Sequence, residues 1–196
     1  NGNATITSYT ATSNPAGGSG TLSQAGSGTI SVTGLTGGTS YTFTVTATNS
    51  IGTSVASAAS NSITTLSAYS ADFLVIAGGG SGGYNAGGNG GRGGGGAGGY
   101  RTSTQTVNGG NTITVTVGNG GASTTSSSSN GSNSSISGTG LTTITSAGGG
   151  RGGQASNSSG QSGGSGGGAA QGGSIGSGNT PSTSPSQGND GGTGFS

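Results

Sequence analysis

The sequence predicts an all-β protein in two parts, a sheet-forming region at 1–66 and a glycine-rich region at 71–196, joined by a linker at 67–70. Three observations predict this fold class. Apolar residues alternate with threonine in the first part, which is the period of a half-buried strand. Glycine tracts alternate with short β-like segments in the second part. No segment has the apolar period of a helix.

Three strands are predicted in the first part. They lie around Ile6 and Tyr9 in TITSYTATS, around Ile30 and Val32 in TISVTGL, and along SYTFTVTATN. The third carries the strongest pattern, because its apolar residues alternate strictly with threonine, as in an antiparallel sheet with one wet face. Turns are predicted between the strands at Asn14-Pro15, Gly17-Gly18 and Gly37-Gly38.

The segments ITSYTATS and ISVTGLTGGTSYTFTVTATNSIGTSVASAAS resemble a fibronectin type III domain of bacterial and phage surface proteins. The residues that carry the resemblance are Leu35, Gly38, Tyr41, Val45, Ala47 and Asn49. It implies a β-sandwich with Tyr41 at the structural tyrosine corner, its hydroxyl bonded to upstream backbone. The similarity starts at strand C, so we expect a partial sandwich, with strands A and B before Asn1 in a longer parent protein. A spacer is the role expected of it.

Short β-segments are predicted in the second part at 71–77, 102–117 and 136–145, between glycine tracts at 78–100, 148–178 and 187–194. The middle segment predicts a hairpin, because TSTQTV and NTITVTV meet at Asn108-Gly109-Gly110, a turn sequence that tolerates positive φ. Its second strand would place Ile113, Val115 and Val117 on one face. The polar stretch NGGASTTSSSSNGSNSS has the composition of a loop.

The glycine tracts have a period of three. Residues 163–174 divide into GGS, GGG, AAQ and GGS, and residues 87–95 divide into GGN, GGR and GGG. Polyproline-II-type helices have three residues per turn and no internal hydrogen bonds. We therefore expect packed polyglycine-II helices with two small inner residues per turn and a third that points outward. The alternative is a disordered glycine linker.

A second resemblance covers most of 71–196. FLVIAGGGSGG and GGRGGGGAGGY, with ITVTVGNGGAS and LTTITSAGGGRGG, look like the glycine-rich domain of phage tail-fibre and adhesin proteins and of some bacterial surface proteins. The resemblance implies a polyglycine-II core with variable loops that touch a host receptor, here with the C-terminal end of the domain incomplete.

We therefore expect a non-enzymatic structural and adhesive protein of a phage tail fibre or virion surface, or otherwise an extracellular one. The expected partners are other virion or filament subunits, as a homo-oligomer, and a host surface glycan or outer-membrane receptor. The alternative is a bacterial cell-surface or extracellular-matrix filament protein that recognises no host.

Composition excludes other classes. The chain has no His, Cys, Lys, Glu, Met or Trp, so the usual zinc and iron ligand sets cannot form, and no metal or cofactor is expected. Asp72 and Asp190 are the only carboxylates for acid–base chemistry, and they lie far apart in the sequence. Three arginines are too few for nucleic-acid binding. The longest apolar run, 73–77, is too short for membrane insertion.

The candidate receptor contacts are the large or charged side chains within the glycine blocks: Tyr84, Arg92, Tyr100, Arg101 and Arg151. Such side chains can stack on a sugar or hydrogen-bond to a receptor loop. The alternative is that they pack over the edges of the glycine structure and satisfy exposed carbonyls.

Overall fold

A computed structural model describes residues 4–84, 90–124, 126–155 and 157–194, and it confirms the all-β prediction. The described residues form nine strands and no helix. The strands are β1 Ile6–Asn14, β2 Ser19–Leu22, β3 Ser40–Asn49, β4 Ile63–Thr64, β5 Tyr69–Ile76, β6 Tyr100–Val107, β7 Ile113–Thr116, β8 Ser134–Gly138 and β9 Ile144–Ser146. The chain divides into two compact units, Asn1–Tyr69 with Val107–Gly110, and Ser70–Thr106 with Asn111–Ser196.

The described residues of the first unit form one four-stranded sheet with the order β2-β1-β3-β4. The two long strands pair in antiparallel fashion, with Tyr9 opposite Ala47 and Ala11 opposite Val45. Their apolar residues share one face because this register puts alternating positions together. The predicted strands around Ile6 and through SYTFTVTATN are therefore confirmed.

The predicted strand through Ile30 and Val32 is wrong. Residues 29–35 form no strand, and they pair only through an isolated bridge between Thr33 and Ser19. The reason lies in β2, where a Cβ on Gly20 would stand 2.2 Å from the carbonyl oxygen of Ser31. Glycine there lets the segment pack across the strand face instead of extending the sheet.

A serine repeat follows β3. The amides of Ser54, Ser57 and Ser60 donate to the carbonyls of Ala47, Val45 and Phe43 at 2.8–2.9 Å. The amides of those same three β3 residues donate back to the serine Oγ atoms at 3.0 Å. The serine side chains therefore take the place of backbone carbonyls, and a segment with period three covers an edge of a strand with period two.

Two small sheets lie in the second unit, β5-β6 and β7-β8-β9. Their core consists of Val75, Ile136 and Ile144, against which Phe73 and Ile113 pack. The β-segments predicted at 71–77, 102–117 and 136–145 all contain strands. Most of the predicted loop at 119–135 is irregular, and β8 begins at its end.

The predicted hairpin of 102–117 is wrong, although its turn forms with Gly110 at φ +83°. β6 pairs with β5, and β7 pairs with β8. This arrangement places Ile113 against the core, whereas Val115 and Val117 are 61% and 80% exposed. The apolar face predicted for β7 is therefore not buried as a whole.

The glycine-rich segments bond laterally with a period of three. In the central segment, 147–153, the carbonyls of every third residue accept from the 93–99 segment at 2.8–3.0 Å. These bonds join Gly99 N to Ala147 O, Gly96 N to Gly150 O and Gly93 N to Gly153 O. The amides of Gly149 and Gly152 donate to 78–81 in a parallel direction, and those of Gly150 and Gly153 donate to 165–168. One segment thus bonds to neighbours on several sides, unlike a strand in a sheet.

Burial in 163–171 follows the predicted triplets, with two buried residues followed by a more exposed one. The pattern ends at Gly172, which has φ +74°. The prediction fails for 90–95, since Gly91 and Gly94 were expected inside but a Cβ on either would meet nothing within 4 Å. That segment lies at an edge, so only one residue in three, such as Gly93 and Gly96, is buried.

Candidate functional site

The glycine-rich unit contains a groove of about 440 Å³. Its floor is the segment 165–171, and its walls are 91–97 and 189–194. Floor amides hold both walls in place. Three bonds reach the first wall: Ser165 N to Ala97 O, Gly168 N to Gly94 O and Gln171 N to Gly91 O. Two bonds reach the second wall: Gly166 N to Asn189 O and Ala169 N to Gly192 O.

The groove is lined mainly by backbone. Arg92, Gln171, Asn189, Asp190 and Thr193 are its longer polar side chains. Asp190 Oδ1 accepts from the amide of Gly178 at 2.7 Å, so this carboxylate serves the backbone. No aromatic residue is among the described residues that line the groove. Such a surface can offer hydrogen bonds to an extended polar ligand.

Two of the predicted contact residues come together near the groove. Arg92 Nε donates to the carbonyl of Tyr84 at 3.2 Å, and its Nη1 donates to the carbonyl of Gly90 at 3.4 Å. The guanidinium therefore satisfies backbone carbonyls, as the edge-packing alternative expects. Arg92 lines the groove, whereas Tyr84 is not among its described lining residues.

Tyr100 and Arg101 lie in β6 and face different surroundings. Arg101 Nη1 donates to the carbonyl of Thr145 at 3.3 Å. Tyr100 is 56% exposed, and beside it Leu74 and Ile76 are each 55% exposed. Tyr100 and Leu74 line a depression of about 380 Å³ on the β5-β6 sheet. Tyr100 is thus on an open apolar surface separate from the groove.

Arg151 stands in the central segment. Its amide donates to Asn130 Oδ1 at 2.9 Å, and its carbonyl accepts from Gln161 at 2.9 Å. Its Nη1 atom is buried without a hydrogen-bond partner among the described residues. The five predicted contact residues therefore form no single site.

Tyr41 bonds through its hydroxyl to backbone upstream of it. Its ring is buried, and its hydroxyl oxygen accepts from the amide of Thr36 at 2.9 Å. This bond favours the phenolate and lowers the pKa of Tyr41 below its usual value, against desolvation, which raises it.

The polar loop at 122–129 is closed at its base. Ser129 N donates to the carbonyl of Ala122 at 3.1 Å, and Ala122 N donates back to Ser129 Oγ at 3.0 Å. Ser81 Oγ accepts from the same Ser129 amide at 3.0 Å, which ties the loop to a glycine segment. Most described loop residues are exposed.

Sequence reasoning missed the groove. Gln171 occupies the outward position of the triplet AAQ, and Asp190 interrupts the last glycine tract, so both were visible as isolated polar residues. Their meeting depends on 165–171 bonding to two distant segments, and no local pattern encodes that. The described residues contain no group of three His, Cys, Asp or Glu suited to a metal ion. In the same part of the chain, no helix has the length and apolar character needed to cross a membrane.

Comparison with known proteins gives one family. No curated protein and no solved structure matches the chain. The family model of the glycine-rich domain matches residues 54–196, from the first serine of the repeat beside β3 to the last residue. That match covers most of the sequence and all of the segments with lateral hydrogen bonds at every third residue. The chain belongs to the glycine-rich domain family.

Proposed function

We propose that the protein is a non-enzymatic structural and adhesive protein of a phage tail fibre or virion surface, with a rigid glycine lattice that presents loops for host attachment. The observation that carries this proposal is the lateral hydrogen bonding at every third residue around the central segment. It supports a framework that resists bending while its outward positions accept different side chains.

The glycine segments are, in this proposal, polyglycine-II helices. Such helices have three residues per turn, so successive residues point to different neighbours. The central segment bonds in this way, with parallel partners at 78–81 and antiparallel partners at 93–99. Fixing glycine in one conformation costs more entropy than fixing any other residue. Dense lateral hydrogen bonds, at roughly 0.5–1.5 kcal/mol net each, offset that cost.

Attachment would rely on short-range contacts. The formal net charge of +1 gives little electrostatic steering, so stacking, shape and hydrogen bonds must provide affinity. The exposed surface around Tyr100 and the closed loop at 122–129 offer these contacts. Repeated copies in a homo-oligomer would add avidity.

The first unit is, in this proposal, a spacer related to fibronectin type III domains. The sheet order β2-β1-β3-β4 and the bond from Thr36 N to the hydroxyl of Tyr41 support that relation. A spacer needs a stable sheet and no ligand site.

The experiment is an exchange of the polar loop 122–129 combined, in a second variant, with Tyr84→Ala and Tyr100→Ala. Binding to bacteria or to purified surface glycan should fall while the circular dichroism spectrum stays the same. A replacement of residues 1–66 by an unrelated spacer should preserve binding. If binding survives the changes in the second unit and follows the replacement of 1–66, the adhesive role belongs to the first unit. Binding to no host at all would favour a filament protein.

A further inference from the structure

We infer that the groove is a docking site for a glycine-rich segment of another chain, which would occupy a vacant position in the glycine lattice. The inference rests on the proposed lattice and goes beyond it by naming a partner. The occupant is an extended segment with small residues at two of every three positions.

The floor segment has neighbours on five sides. Its residues bond to 91–97, 189–192, 158–161, 150–153 and 176–179. Consecutive members of this ring also bond to each other, for example Gln161 N to Arg151 O and Gly191 N to Gly176 O. Close-packed rods of equal width have six neighbours each. The sixth side of the floor lies between 91–97 and 189–194, where the groove runs.

The groove is closed at one end. Tyr100 N donates to the carbonyl of Gln187 at 2.8 Å, which joins the two walls there. Towards Gly91 and Gly194 no described residue bridges them. Within the described part of the chain, the groove therefore opens at the end away from β6.

Several backbone groups that line the groove have no hydrogen-bond partner among the described residues. Gly166 and Ala169 are buried, yet no described residue donates to their carbonyl oxygens. In the wall, no described residue accepts from the amides of the adjacent residues Gly94 and Gly95, of which one at most faces the groove if successive residues point to different sides. The two carbonyls are three residues apart. The hydrogen bonds between 93–99 and the central segment have the same spacing. An added glycine segment would find two acceptors at the spacing of its own every third amide.

The chain caps backbone amides elsewhere in the same unit, where residues 130–133 pack against the central segment. Beside the central segment, the amides of Gly148 and Arg151 donate to Asn133 Oδ1 and Asn130 Oδ1, each at 2.9 Å. There the chain satisfies its own backbone with side-chain amides. The groove has no such caps on Gly166 and Ala169.

The shape of the groove favours a segment with small residues. A Cβ on Gly168 would lie 3.2 Å from Gly94 N and 3.4 Å from Gly192 O, so the floor is narrow. A bare backbone can approach such a floor, but a bulky side chain cannot. Sugars usually stack on aromatic rings, and the described lining has none.

The test is titration of the full chain with a synthetic peptide of Gly-Gly-Ser triplets, followed by amide NMR and hydrogen exchange. We expect shifts and added protection at Gly94, Gly95 and Gly192, and at least tenfold weaker binding of a peptide with Val in each triplet. Gly94→Ile should weaken binding at least tenfold, because its side chain would enter the vacancy. Gly82→Ile is the matched control, since a Cβ there also has open space, with its nearest atom at 3.8 Å.

The outcomes separate docking from the lattice itself. If the amides of Gly150 and Gly153 are protected but millimolar peptide causes no change at the groove, the groove is only solvated and the docking inference is overturned. Equal binding by the two isoleucine variants would also overturn it, as would shifts caused by maltoheptaose and not by the peptide. Unprotected Gly150 and Gly153 would overturn the lattice and the docking together.

Discussion

Gly93 and Gly94 are adjacent glycines with opposite surroundings, and changing each to alanine tests the lattice. A Cβ on Gly93 would stand 1.9 Å from the carbonyl oxygen of Gly168, whereas a Cβ on Gly94 would meet nothing within 4 Å. Neither glycine has a positive φ, so alanine fits the backbone at both positions. We expect Gly93→Ala to destabilise the glycine-rich unit and Gly94→Ala to stabilise it slightly.

The size of the difference follows from the contacts. To relieve the clash, the floor segment must move by about 1 Å or more, which is an overpacking cost of about 1–3 kcal/mol. That movement stretches the bonds from Gly168 N to Gly94 O at 2.8 Å and from Gly93 N to Gly153 O at 3.0 Å. Losing both costs about 1–3 kcal/mol. Alanine recovers about 0.4–1 kcal/mol through the unfolded state. Gly93→Ala should therefore lose about 1–6 kcal/mol, and Gly94→Ala should gain up to about 1 kcal/mol.

Urea unfolding followed by circular dichroism measures both changes, and hydrogen exchange shows where they act. Protection at Gly153 and Gly168 should fall in Gly93→Ala and remain in Gly94→Ala. Equal stability of the two variants would refute the packed lattice, because a flexible linker cannot distinguish neighbouring glycines.

Three other changes have defined outcomes. Gly167→Val should cost about 3 kcal/mol or more in urea unfolding, since its Cβ would lie 2.0 Å from Arg151 O; a loss below that of an ordinary surface change would contradict the packing. Ser57→Ala removes the Oγ that accepts from Val45 N and should cost about 0.5–1.5 kcal/mol; Ser57→Thr, which keeps the oxygen, should restore most of it in the same assay. In thermal unfolding, Tyr41→Phe should lower the melting temperature. The pKa of Tyr41 is lower in the folded protein, so its ionisation adds stability that is absent below that pKa and complete above the unfolded pKa of about 10. The difference in melting temperature between the native protein and Tyr41→Phe should therefore widen as pH rises. A difference that stays constant with pH would contradict this.

The best sequence predictions came from periodicity that matches a local geometry. The alternation through β3 survived because its apolar face meets that of β1, as in Ala11 opposite Val45. The triplets of 163–171 survived because each residue of that segment faces either a neighbouring segment or an opening.

The two wrong predictions, the hairpin of 102–117 and the strand around Ile30, share a cause. In each case the outcome depended on contacts with another part of the chain. The hairpin turn at Gly110 forms, but β6 pairs with β5 and β7 pairs with β8, which brings Ile113 to the core. The stretch around Ile30 looked like a strand because its alternation is real. Gly20 lets it pack across β2, and alternation does not distinguish the two arrangements.

The candidate site was less predictable than the fold. Large side chains among glycines were easy to recognise, but sequence could not show that Arg92 bonds to backbone carbonyls or that Tyr100 faces a separate surface. The groove exists because 165–171 joins two walls, and its free backbone groups carry no side-chain signal.

The period of three also constrains how the gene can change. Parallel and antiparallel neighbours both bond at every third residue, so an insertion of three codons would add one repeat and leave the register intact in either direction. One or two extra codons would rotate all later residues of that segment, so that an outward side chain such as Gln171 would point at a backbone. In homologous genes, the lengths of the glycine-rich segments should therefore differ by multiples of three codons. The loops between those segments should vary in length without this restriction.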